Sequence, residues 1–94
     1  MRLELSREAD EDLRRIYLVG AAQFGVEVAD RYAARLIDAL SLIADFPHIA
    51  RVRDNLSGEV RAYPVLSHII IYKVMDEVVL VARIRHGRED WQSA

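Results

Sequence analysis

The stretch "HIIIYKVMDEVVLVARIRH", from His68 to His86, decides the fold. Two runs rich in β-branched residues flank Asp76-Glu77, and such side chains suit a pleated, half-buried surface. So short a connection between two such runs predicts an antiparallel hairpin. With Asp76 and Glu77 alone in the turn, Met75 opposes Val78, Tyr72 meets Val81, Ile70 meets Arg83 and His68 meets Arg85. One face then carries Ile69, Ile71, Leu80, Ala82 and Ile84, the expected core face, with Lys73 snorkelling out of it near the tip. The other carries Ile70, Tyr72, Val74, Val79 and Val81, followed by His68, Arg83 and Arg85 at one end. A sheet face open to solvent alternates apolar and polar residues, and this second face does not. Its apolar residues are expected to serve as a docking surface for a partner, unless the segment 47–58 folds over them.

Outward from the hairpin, "EVRAYPV" (Glu59 to Val65) reads as a short strand, with Pro64 placing it at an edge or ending it. "HIARVRDNLSG" before it reads as a loop with turn chemistry at Asp54-Asn55 and Ser57-Gly58. At the other end of the chain, "RLEL" (Arg2 to Leu5) alternates as a first strand. Ser6 is placed to cap a helix N-terminus, where its hydroxyl accepts a free first-turn amide. Glu8, Asp10 and Glu11 suit that positive helix end. Ala9, Leu13, Ile16, Tyr17, Gly20 and Phe24 recur at helical spacing until Gly25 breaks the pattern. A second helix begins near Val26, with Ala29, Tyr32, Ala33, Leu36, Ile37, Leu40 and Ile43 as its stripe, and stops before Pro47. Leu13, Ile16, Tyr17, Leu36, Leu40 and Ile43 are expected to be plain core. The order β-α-α-β-β-β predicts an α+β fold in two layers, a helical hairpin on one face of a four-stranded antiparallel sheet.

The chain of 94 residues is expected to form a single domain over 1–94. Hydrophobic residues make up 52% and charged ones 30%, a composition that argues against disorder. The chain has no cysteine, which excludes disulfides and thiolate metal sites. His48, His68 and His86 lack metal-ligand spacing, so neither a metal nor a cofactor is expected. "MRLELSREADEDL" has no apolar secretory core, and the apolar runs are far too short for a membrane span. A cytoplasmic location with no membrane partner is expected. Net charge is −2, whereas a chain that grips RNA through its phosphates usually carries a positive excess.

The terminal stretch "RIRHGREDW", Arg83 to Trp91, gathers three arginines, a histidine and the single tryptophan. It admits two readings: cations around a scissile phosphate, or a surface that grips another protein. RNA cleavage without a metal needs a base for the 2′-hydroxyl, cations for the phosphorane and an acid for the leaving oxygen. Arg61, Arg83 and His86 would form that set, with Tyr72 as another proton carrier. Arg83 and Arg85 share a strand face and, in the plain structural reading, lie at a solvated edge paired with Glu59 or Asp90. Trp and Arg are enriched at protein interfaces, so Arg83, Arg85, His86, Arg88 and Trp91 are the candidate target-binding residues.

These pieces together resemble the RelE/ParE superfamily of toxins from type II toxin–antitoxin pairs. The likeness rests on "SREADEDLRRIYLVGAAQFG", "LIADFPHIARVR", "VRAYPVLSHIIIYKV" and above all "VVLVARIRHGRED". It covers nearly the whole chain and points to the ParE branch. The resemblance implies strand order 2-3-4-1 and a cognate ParD-like antitoxin with a ribbon-helix-helix, DNA-binding N-terminus. Operator DNA would be reached only through that antitoxin. It implies poisoning of DNA gyrase without a catalytic residue, the alternative being a RelE-like ribosome-dependent mRNA endonuclease. RelE-like nucleases are richer in lysine and often place a tyrosine after the last strand. Here Gly87 follows His86, and Trp91, the next aromatic residue, cannot act as an acid or base. The antitoxin is expected on Ile70, Tyr72, Val74, Val79 and Val81.

Overall fold

A computed structural model describes residues 1–53 and 59–88. The elements run β1 (Arg2–Leu5), α1 (Arg7–Phe24), α2 (Val26–Asp45), β2 (Val52–Arg53), β3 (Val60–Val65), β4 (His68–Met75) and β5 (Val78–His86). The sheet order is β1-β5-β4-β3-β2. The expected strands keep their relative order, but the sheet differs from expectation in two ways. β1 lies parallel to β5, from Arg2 opposite Val78 to Leu5 opposite Val81. A two-residue strand, β2, adds to β3 at the far edge through Val52↔Arg61 and Arg53↔Val60. The sheet is therefore mixed and five-stranded. Parallel pairing needs a long connection, and here nearly the whole chain intervenes between the two strands. Among the described residues, no helix is long and apolar enough to cross a membrane.

Both helices begin and end as their sequences dictate. The Ser6 hydroxyl accepts the Ala9 amide at 3.0 Å and donates to the Ala82 carbonyl at 2.7 Å, so one side chain caps α1 and pins it to β5. Gly25 alone joins the two helices, at φ 92°, a left-handed value that costs a side-chain-bearing residue strain. Leu36, Leu40 and Ile43 of α2 are buried, and Leu13 and Ile16 of α1 pack against the same cluster. Tyr17 sits at the rim instead and donates to Asp30 at 2.7 Å. Phe24 and Ile37 fall on the apolar stripes yet remain exposed.

The covered face of the sheet is the one expected to stay open. Ile70, Tyr72, Val79 and Val81 are each 0% exposed. With half-buried Val74 they pack under the helices. The cause is a β-bulge. The hairpin pairs as expected from Met75↔Val78 to Tyr72↔Val81, then slips, so that Ile71 meets Arg83, Ile70 meets Ile84 and His68 meets His86. One added residue reverses the facing of everything beyond it. Arg83 and Arg85 thereby leave the inner face, and Ile84 joins it. The inner face becomes apolar along its length and is the better one to bury. Ile69 and Ile71 instead form a small outer cluster with Val60 and Ala62.

Where β1 stops at Leu5, helix α1 takes over the edge of β5. The Ser6 amide donates to the Val81 carbonyl at 2.9 Å. About a turn and a half later Asp12, only 1% exposed, accepts the Ile84 amide at 3.0 Å. The same carboxylate receives Arg83 Nε at 2.8 Å and Nη2 at 3.0 Å, a bidentate grip, and a further bond from Arg15. Burial pushes the Asp12 carboxyl up, but the bonds from Arg83 and the Ile84 amide, the Arg83 charge and the Arg15 bond together hold it below the ordinary carboxylate value.

Asp12→Ala strips Arg83 and the Ile84 amide of their acceptor and should cost about 3 kcal/mol in urea unfolding, as breaking buried pairs does. A depressed folded-state pKa gives stability that is present above the ordinary carboxylate value and is lost as pH falls through the folded one. The native chain should therefore lose stability more steeply below pH about 4 than Asp12→Asn does. Parallel acid slopes would remove Asp12 from that role.

Candidate functional site

The candidate residues divide between two places, and the fold separates them. The first is the turn that follows α2. The Tyr72 hydroxyl donates to the Pro47 carbonyl at 2.8 Å, while the Arg61 guanidinium donates to the Ala50 carbonyl at 2.6 Å. Arg61 and Tyr72 are cross-strand partners in β3 and β4, which is why both reach the same turn. Burial pushes the Tyr72 hydroxyl pKa up, against the lowering by the Ala50 amide and the Arg61 charge. A fully buried phenol that holds its proton more tightly and spends it on a backbone carbonyl is poorly placed to move protons for a substrate.

The second place is the sheet end where β4 begins and β5 finishes. Helix α1 passes Ile84 at Asp12 and continues to Phe24, roughly 18 Å further along the helix axis. The sheet ends at His86, so the helical hairpin overhangs it. Beneath the overhang lies a cleft of about 410 Å³ with walls that include Leu13, Ile16, Phe24 and Val28. Ser67, His68, Ile84 and His86 line it from the sheet side, and Tyr32 from α2. The Tyr32 hydroxyl accepts the Ser67 amide at 3.1 Å and lies 2.6 Å from His68 Nδ1. The His68 and His86 rings meet edge to face with centroids 5.2 Å apart. The hairpin around the cleft also shows solvent an unusual amount of apolar side chain: Phe24 is 67% exposed, Leu18 66% and Val26 58%. Exposed apolar side chains in this number on one helical hairpin point to an interaction surface.

The structure treats the candidate residues unequally. Arg83 is bound by Asp12, and the expected pairing with Asp90 lies outside the described residues. Arg85 stands on the outer face opposite Ile69, and His86 lines the cleft. Arg88 is exposed, and its amide donates to His86 Nδ1 at 3.1 Å. Trp91 lies outside the described residues. The nuclease set is split: Arg61 serves the turn at Pro47 to Ala50, and Arg83 serves Asp12. Ile70, Tyr72, Val79 and Val81 present no surface for an antitoxin, for the reason given by the bulge. Asp12 was missed in the sequence although its signal was there. It lies three residues after Ala9 and four before Ile16, on the buried stripe of α1, where an acid needs a partner. Among the described residues, no group of three or more potential metal-ligating side chains comes together.

The comparisons with known proteins agree with one another. A family model described as "ParE toxin of type II toxin-antitoxin system, parDE" matches residues 3–91. Toxin ParE1 of Caulobacter vibrioides is 33% identical over 82 residues, spanning 87% of this chain and 84% of that protein. Toxin ParE3 of the same organism is 28% identical over 83 residues, spanning 88% and 83%. A solved structure titled "Chromosomal ParDE TA system from P. aeruginosa" superposes with a TM-score of 0.80 over 92% of this chain and 95% of that one. At 19% identity, that last match speaks for the fold alone.

Tyr72→Phe keeps the ring and removes only the hydroxyl that anchors the Pro47 turn. It should lower stability by about 1–2 kcal/mol in urea unfolding. An unchanged unfolding midpoint would remove the Tyr72 hydroxyl from that anchoring role.

Proposed function

The chain belongs to the ParE toxin family of type II toxin–antitoxin systems, and from that premise we propose that residues 1–94 act as one toxin domain. This domain poisons DNA gyrase by binding and is neutralised by a cognate ParD-like antitoxin. The observation that carries the binding reading is the engagement of Arg83 by Asp12, on a side chain only 36% exposed. The cation best placed on sequence grounds to stabilise a phosphorane is held in the fold, and Arg61 and Tyr72 have structural duties of their own. A gyrase poison needs no catalytic group, because the enzyme it traps supplies strand cleavage. The toxin has only to bind one gyrase state better than another. Arg83, Arg85, His86, Arg88 and Trp91 are the proposed target contacts.

The antitoxin surface moves with the sheet faces. With Ile70, Tyr72, Val79 and Val81 enclosed, the antitoxin surface proposed is the overhanging hairpin and the cleft beneath it, where Phe24, Leu18 and Val26 are exposed, although Phe46 and Ile49 also stand exposed at the turn after α2. A segment that folds on binding and lays an apolar face into a groove suits that shape. Toxin contact with operator DNA would pass through the antitoxin's own DNA-binding end.

Purified gyrase incubated with the chain should accumulate cleaved DNA in a supercoiling assay, while translating ribosomes show no new mRNA cuts. Codon-dependent cleavage would overturn the gyrase reading. A chain lacking residues 89–94 should still bind the antitoxin but lose gyrase trapping, and trapping at full strength would move the target contacts elsewhere. Phe24→Glu should weaken the antitoxin complex about tenfold or more, the effect of losing a buried aromatic anchor, at an unchanged melting temperature. An unweakened complex would place the antitoxin off the hairpin.

A further inference from the structure

β1 ends the sheet on one side, and among the described residues β5 is its one strand neighbour. The Ser6 amide donates to the Val81 carbonyl at 2.9 Å. Backbone groups turn to the two sides of a strand alternately, so Arg2 and Glu4, in step with Ser6, bond to β5. The amides and carbonyls of Leu3 and Leu5 then point to the open side. Such an edge is a template for pairing with another chain. The side chains alternate as well. Arg2 and Glu4 are exposed on the outer face and form an ion pair at 3.0 Å, while half-buried Leu3 and Leu5 pack against the core.

We infer that β1 is the docking edge for a second copy of this chain, paired antiparallel across a two-fold axis with Leu3 opposite Leu3 of the partner subunit. Backbone direction and charge together choose that occupant and that register. Residues that exchange hydrogen bonds across an antiparallel pair both turn their groups to the shared edge, so Leu3 faces Met1, Leu3 or Leu5 of the other copy. Leu3 opposite Leu5 sets the two copies of Glu4 against each other, and Leu3 opposite Met1 does the same to Arg2. Like charges directly opposite are destabilising. Leu5 opposite Leu5 runs the ladder into α1. Leu3 opposite Leu3 sets Arg2 against Glu4 of the partner subunit twice. Those two pairs fall at the close, non-hydrogen-bonded positions, about 4.5 Å apart at Cα. The strand Arg-Leu-Glu-Leu is thus complementary to a reversed copy of itself about Leu3.

The same axis brings complementary neighbours together. The Met1 amine donates to the Ala44 carbonyl at 3.0 Å, so the end of α2 stands at the start of β1. In the antiparallel pair the other copy's α1 begins there, and the positive start of one helix meets the negative end of another. Exposed Met1 and Phe46 stand at that end, and their burial adds to the contact. Along β5, β1 reaches from Val78 to Val81, whereas the cleft takes its lining from Ile84 and His86. The pair therefore joins two five-stranded sheets into one and leaves both clefts open to a further partner.

The test uses the full chain alone, in sedimentation from about 1 μM to about 1 mM, the range of weak association. The expected result is a mass that doubles with concentration, and hydrogen exchange at the Leu3 and Leu5 amides that slows in the concentrated sample. Arg2→Glu and Glu4→Arg each set like charges against each other across the axis. Each should weaken the dimer about tenfold or more. The melting temperature in dilute solution should not change, because the Arg2–Glu4 pair is exposed. An equal mixture of the two variants faces every arginine with a glutamate and should restore the dimer. That restoration separates pairing in this register from a structural effect of either change. A native chain that stays monomeric throughout overturns the inference. So does a dimer that withstands both substitutions, or a mixture that associates no better than its components. If either variant unfolds, the native amides decide: Leu3 and Leu5 exchanging equally fast at both ends of the concentration range overturn the inference.

Discussion

One carboxylate organises this molecule. Asp12 sits where a parallel strand has ended and the edge of β5 would otherwise face a helix with an unpaired amide. It satisfies that amide and holds Arg83 in a bidentate grip, joining residues 12 and 83 across most of the chain. Removing a charge from water is expensive unless its partners replace the lost hydration, and Asp12 has such partners on two sides. The position of α1 along β5 follows from this contact and from Ser6 a turn and a half earlier. The helical overhang, the cleft beneath it and the exposure of Phe24 all follow from that position.

The helices were legible because their determinants are local. Ser6 as a cap, Gly25 as the break and Pro47 beyond the end act on neighbours a few residues away. The relative order of the four expected strands was legible through the family resemblance, though the fifth strand at the far edge was not, and the hairpin was legible through Asp76-Glu77, with Asp76 taking the positive φ of 54° that the tight turn demands. The bulge was not legible. A regular register and a slipped one differ by a single unpaired residue, and nothing between Val81 and Arg83 announces it. The slip decides which face is buried, because the regular register loads Arg83 and Arg85 onto the face that is otherwise fully apolar. Parallel pairing of β1 escaped for a related reason: four residues of alternating pattern say that a strand exists but not which way it runs.

The site was half legible. The terminal cluster around His86 drew attention through its composition, and the structure places His86 in a cleft. The sequence could not show that Arg83 and Arg61, so similar as cations, are both engaged within the fold, since that depends on an acid 71 residues away and on a carbonyl 11 residues away. It could not show the His68–His86 pair either, because the regular register sets His68 against Arg85. A one-residue slip is again the difference, which ties the misread face and the missed pair to the same cause.

The parallel contact of β1 with β5 has a consequence for the cell that makes this chain. Arg2 has Val78 as its partner, and Asp12 waits for Arg83 and Ile84. Neither end of the protein can finish its structure until the last strand has been synthesised. A sheet edge completed by residues so far apart is slow to close, because the loop entropy is spent before the contacts return anything. Until β5 is made, α1 and α2 can pair and β3 can pair with β4, but β1 has no strand to join and Asp12 has no partner in β5.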